Sequence, residues 1–150
     1  DPLSAERLTD AEARRLLEML KYSLQEVLDF PDRGQTKEFD VQGDTKKDIF
    51  SISIVRARIK PEKCSIGARI KKNGIMLLEL DISPTKVHIN PDGKKICGSH
   101  WHIYTEEYGR RFAYPAEDIH SNDFIENTIL FLKTFHVVEQ PQIEYQYRLF

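Results

Sequence analysis

Apolar residues recur every three or four positions at the start of the chain and every second position through its middle, and that change of period outlines the elements. Leu16, Leu17, Leu20, Leu24, Val27 and Leu28 form one stripe at helical spacing, which predicts a helix with a single core-facing side. Thr9-Asp10-Ala11-Glu12 reads as its capping box, with the Thr9 hydroxyl accepting the Glu12 backbone N–H and the Glu12 side chain reaching back. Pro31 and Gly34 are expected to end it. From Phe39 the period becomes two. Phe39 and Val41 open a short strand, Phe50, Ile52 and Ile54 alternate with serines, and Cys64, Ile66, Ala68 and Ile70 alternate with polar residues. Met76, Leu78, Leu80 and Ile82 follow Asn73-Gly74, a pair that predicts a type I′ hairpin because both central residues of that turn need positive φ. Pro61-Glu62-Lys63 marks the preceding turn.

A polar loop follows, carrying Pro84, Asn90-Pro91-Asp92-Gly93 and Gly98. Two short strands are expected near His100–Thr105 and Arg111–Tyr114. Ser121 is positioned to cap a second helix whose buried side is Phe124, Ile125, Thr128, Ile129, Leu132 and Phe135, and residues 143–150 alternate weakly as a last edge strand. The order predicts an α+β fold with an N-terminal helix, a curved antiparallel sheet of about five to six strands and a C-terminal helix.

Composition narrows the class. At 150 residues, with 40% hydrophobic and 31% charged positions, the chain reads as one globular domain spanning 1–150. The formal net charge of −2 leaves no global attraction for nucleic acid, so such a contact needs a local basic patch. Cys64 and Cys97 are expected as reduced thiols, Cys64 buried within an apolar alternation and Cys97 in the polar loop near His100; no Cys-x-x-Cys is present. No apolar run is long enough to span a bilayer and no charged-then-apolar leader opens the chain, so a cytoplasmic location without membrane contact is expected. Asp1 in place of Met suggests a trimmed start.

The stretch His88 to Tyr114 concentrates the candidate chemistry. On a strand, alternate residues share a face, so His100, His102 and Tyr104 are expected on one side, with Trp101 and Ile103 filling the core on the other. Imidazoles titrate near neutrality and a pair can supply base and acid. With Arg110 or Arg111 as a phosphate clamp, and Tyr104 or Tyr114 stacking on a base, this set matches the needs of RNA cleavage without a metal or other cofactor. The same segment permits another chemistry: His88, Asp92, His100 and His102 are donor types for a divalent metal. A plainer reading keeps all of these as surface and turn residues. Arg56, Arg58 and Lys60 on one strand and Arg69, Lys71 and Lys72 on the next sketch a basic stripe for phosphate contacts.

Several motifs resemble a family of uncharacterised small bacterial proteins: Leu8-Thr9-x-x-Glu12-Ala13, Lys71-Lys72-Asn73, His88-x-Asn90-Pro91-Asp92-Gly93, His100-x-His102-Ile103-Tyr104, Tyr108-Gly109, Ala113-Tyr114-Pro115 and the closing Arg148-Leu149-Phe150. The resemblance supplies no activity. The element order and the His/Arg/Tyr set are similar, by analogy alone, to toxin components of toxin–antitoxin pairs. Two expectations follow: an endoribonuclease toxin acting on RNA through His100 and His102 with Arg110 or Arg111, or a non-catalytic protein-binding module, such as a phage- or plasmid-borne inhibitor or an antitoxin-like partner, that uses its Tyr/Trp/His surface to bind a protein partner such as an antitoxin.

Overall fold

A computed structural model describes residues 7–60, 63–117, 119 and 123–145. The chain runs through α1 (Asp10–Glu18), β1 (Lys21–Ser23), β2 (Val27–Asp29), β3 (Thr36–Gln42), β4 (Ile49–Arg56), β5 (Cys64–Ile70) and β6 (Met76–Ile82). It continues with β7 (Val87–Ile89), β8 (Lys95–Cys97), β9 (His100–Ile103), β10 (Ala113–Pro115), α2 (Phe124–Thr134), β11 (Val137–Glu139) and β12 (Gln142–Glu144). The α+β class holds, but the sheet is larger than the sequence pattern predicts. Eight strands run in the order β10-β9-β6-β5-β4-β3-β1-β11, and β12-β2 and β7-β8 form two further two-stranded sheets. The sheet is mixed, because β1 pairs with β11 in parallel, as β2 does with β12.

The antiparallel heart, β3 to β6, follows the alternation already visible in the sequence. Residues paired across antiparallel strands share a face. Phe50, Ile52, Ile54, Ile66, Ala68, Leu78, Leu80 and Ile82 therefore make one apolar surface, which joins Ala13 and Leu16 of α1 and Phe131 and Leu132 of α2 in a single core cluster. Trp101 extends that surface and stacks on Phe131 at 6.0 Å. No helix among the described residues is long and apolar enough to cross a membrane.

Three local expectations are corrected. The first helix ends at Glu18, and the apolar residues beyond it do not continue its stripe: Leu20 and Leu24 are 50% and 58% exposed, while Val27 and Leu28 lie in β2. The cap residue Met19 turns extended, and the fully buried Lys21 ammonium binds the Leu17 and Met19 carbonyls, which occupies helix-end acceptors that another turn would need. The Asn73-Gly74 turn is not type I′. Gly74 alone takes positive φ (75°), its N–H donates to the Ile70 carbonyl, and the Asn73 side chain accepts from Ile75, so the loop closes over four residues. The N-cap of α2 is Asp123, whose carboxylate accepts from the Glu126 N–H; Ser121 and the Arg148-Leu149-Phe150 motif lie outside the described residues.

Candidate metal centre

The face opposite the core carries the candidate chemistry, and strand register explains why. Across β6 and β9, Glu79 pairs with His102 and Asp81 with His100, while Leu78 and Leu80 pair with Ile103 and Trp101. Two acidic residues and two imidazoles are thus presented together, backed by a strand whose other side is apolar. The third imidazole arrives from the β7-β8 hairpin. His88 and Asn90 are two apart, so both turn inward, while Val87 and Ile89 remain exposed.

Asn90 seats this hairpin. It is buried, its side-chain amide donates to the Ala113 carbonyl at 2.9 Å, and its side-chain oxygen accepts the Ala113 N–H at 2.8 Å. It therefore acts as a short strand partner for the outer edge of β10. The Asn90-Pro91-Asp92-Gly93 turn makes the placement possible: Gly93 takes φ 87° and donates to the Asn90 carbonyl, and Asp92 accepts the Lys94 N–H.

The result is a close triad of imidazoles. Ring centroids lie 5.4 Å apart for His88–His100, 5.0 Å for His88–His102 and 4.8 Å for His100–His102. One nitrogen from each ring falls within 4.8 Å of the others. His100 has no exposed surface and His102 only 9%. Two of the rings are held from behind by main chain: His100 Nδ1 lies 2.9 Å from the Gly98 carbonyl, and His88 Nε2 lies 3.0 Å from the Arg111 carbonyl. The buried nitrogens on the other side, His100 Nε2 and His102 Nδ1, have no hydrogen-bond partner. Burial, reinforced by the neighbouring His100 and His88 rings, pushes His102 down to about 4, so its ring is neutral at pH 7. Closely grouped imidazoles, with one nitrogen held by main chain and the other left to bind, are an arrangement found around bound transition metals.

The remaining candidates from the sequence are distributed differently. Asp92 is engaged in its own turn. Tyr104 follows the end of β9 and joins the core, its hydroxyl accepting from the Leu8 N–H at 2.9 Å and donating to the Leu8 carbonyl at 3.1 Å. It therefore does not share the histidine face. Tyr114 pairs across from Trp101 and so points away from that face. Arg110 is on the histidine side, but both Glu79 oxygens hold its Nη2 at 3.0 Å. Arg111 donates through Nε to the Tyr108 carbonyl.

The basic stripe is not assembled. Arg56 is on the core face, buried, donating to the Tyr145 hydroxyl at 2.8 Å and lying 4.4 Å over the Phe124 ring. Arg58 and Lys60 are in the loop after β4, Lys71 pairs with Asp40, and Arg69 pairs across from Ser51 in β5. Both cysteines are free, with Cys64 buried and Cys97 exposed.

Sequence reasoning missed Asp81, although Glu79 and Asp81 interrupt an apolar strand at the spacing that marks one face. It also missed Lys21. Among known proteins, a family model described as a family of unknown function (DUF6978) matches residues 8–137. No curated protein and no solved structure matches the chain.

Proposed function

The chain belongs to that family of unknown function, and we propose from its site that it binds a divalent transition metal through His88, His100 and His102. The observations carrying this reading are that His88, His100 and His102 each bring one ring nitrogen within 4.8 Å of the others, and that His100 Nε2 and His102 Nδ1 are buried without a partner. A buried polar atom without a partner costs about 1–3 kcal/mol, and two of them on adjacent rings call for a compensating ligand. Imidazole donors suit zinc, copper, nickel, cobalt or iron and not magnesium or calcium, which prefer oxygen. Donors around tetrahedral zinc stand about 3.4 Å apart for bonds of about 2.0–2.1 Å, so small ring rotations close the 4.8 Å spread.

Cleavage of RNA by His100 and His102 is less well supported. His100 has no surface to offer a substrate, His102 is held neutral and so lacks the proton a general acid must donate, and Arg110 is already chelated by Glu79. Calorimetric titration of tag-free protein with Zn²⁺ tests the metal reading. One equivalent is expected to bind, with binding abolished by the His100→Ala/His102→Ala double substitution. Absence of uptake, or uptake unchanged in the double variant, overturns it. RNA turnover that persists in chelator and requires both histidines would restore the alternative.

A further inference from the structure

Resting on the metal reading above, we propose that Asp81 supplies the fourth donor and closes the centre as a three-nitrogen, one-oxygen site, which makes the metal a staple between the β7-β8 hairpin and the sheet. Asp81 stands directly opposite His100 in the β6/β9 ladder, so both side chains leave the same face. Its Oδ2 lies 3.6 Å from His100 Nε2, beyond the range of a hydrogen bond. His100 Nδ1 sits at hydrogen-bond distance from a carbonyl, which can only accept, so Nδ1 carries the ring proton. Nε2 is therefore the ring nitrogen turned toward the carboxylate. A wholly buried nitrogen and a carboxylate 16% exposed face each other with no hydrogen bond between them, an arrangement that a cation held by both would satisfy. Their separation is already close to the donor–donor edge of about 3.4 Å expected in a tetrahedral zinc site.

The same carboxylate oxygen accepts from the Lys86 ammonium at 3.0 Å. Lys86 is half-exposed and lies just before β7, so it can swing into solvent. Metal entry then replaces one positive charge on Asp81 with a stronger one. The consequence is functional: with four protein donors, no position remains for a metal-bound water, and the centre orders the hairpin instead of hydrolysing a substrate.

Co²⁺ substitution with visible absorption spectroscopy, repeated with added azide, tests this. The wild-type protein should show tetrahedral d–d bands that azide leaves unchanged. Asp81→Ala should bind Co²⁺ at least about tenfold more weakly and gain an azide response, as an exchangeable position opens. Lys86→Met, which removes the competing ammonium, should tighten binding severalfold, an effect that a purely structural Asp81 would not produce. An azide response in wild type, or unchanged affinity in both Asp81→Ala and Lys86→Met, overturns the Asp81 assignment and leaves the three-histidine reading standing. Absence of any Co²⁺ bands in wild type overturns both.

Discussion

Among the described residues, two places that bury titratable nitrogen, Lys21 and the histidine triad, are built on opposite terms. Lys21 is wholly inaccessible, yet its Nζ donates to the Leu17, Met19 and Phe135 carbonyls at 3.1, 2.9 and 2.8 Å and lies 3.7 Å from the Phe135 ring centroid. Those carbonyls sit at the ends of α1 and α2, where unpaired acceptors and the negative ends of both helix dipoles gather. Desolvation pushes Lys21 down to about 7, but its position is chemically complete. At the histidine triad, the nitrogens facing inward are left without partners. A satisfied buried cation is structural material. Buried nitrogens without partners are what the proposed metal would satisfy.

Substitutions that separate these roles should differ in magnitude and in their effect on metal binding. Lys21→Met keeps the volume and removes the donors to the Met19 and Phe135 carbonyls, while the Leu17 carbonyl keeps His136 Nδ1 at 3.0 Å. A loss of about 2–4 kcal/mol is expected by urea denaturation, with Zn²⁺ affinity unchanged. Equal stability of the variant would remove the structural half of the contrast.

Acid should act on the other region. Because burial holds His102 near 4 against an ordinary value of 6.5, the unfolded chain takes up a proton between those values while the folded chain does not. Its stabilising contribution is complete above about pH 6.5 and is lost as pH falls toward about 4, to a total of up to about 3 kcal/mol. Denaturation of the metal-free protein at pH 7 and pH 4.5 measures this, and His102→Leu should flatten the dependence. A dependence that survives in His102→Leu belongs to other groups.

Asn90→Ala removes both hydrogen bonds to Ala113 and should cost about 1–3 kcal/mol. It should also weaken Zn²⁺ binding, because His88 is no longer held over the sheet. Calorimetry that finds unchanged affinity would show that the hairpin is placed by other contacts. The smallest effect is the most diagnostic: His102→Leu at pH 7, without metal, should change stability by no more than about 1 kcal/mol despite the burial of the site. A loss several times larger would mean that the imidazole is a satisfied core residue.

The β3–β6 meander was legible from alternation alone, because one face buried against helices forces period two on each strand. The grouping of His100 with His102 was legible for the same reason, and so was the core side of Trp101. The inward turn of His88 was not, since it depends on a hairpin folded across the sheet and fastened by Asn90 to a strand distant in sequence. Arg56 shows the converse limit. Its charge invited a surface role, but its place on the apolar side of β4 sends the guanidinium inward onto Phe124 and Tyr145.

By itself, the sequence determined which residues face one another along the central strands, because side-chain period is a local property of an extended backbone; it did not show that His100 and Asn90 of the polar segment are buried. Tertiary structure decided where α1 stops, how β1 and β11 enlarge the sheet, and which three imidazoles meet. Those outcomes rest on contacts between residues far apart in the chain, such as Lys21 with Phe135 and Asn90 with Ala113, whose energies no local pattern encodes.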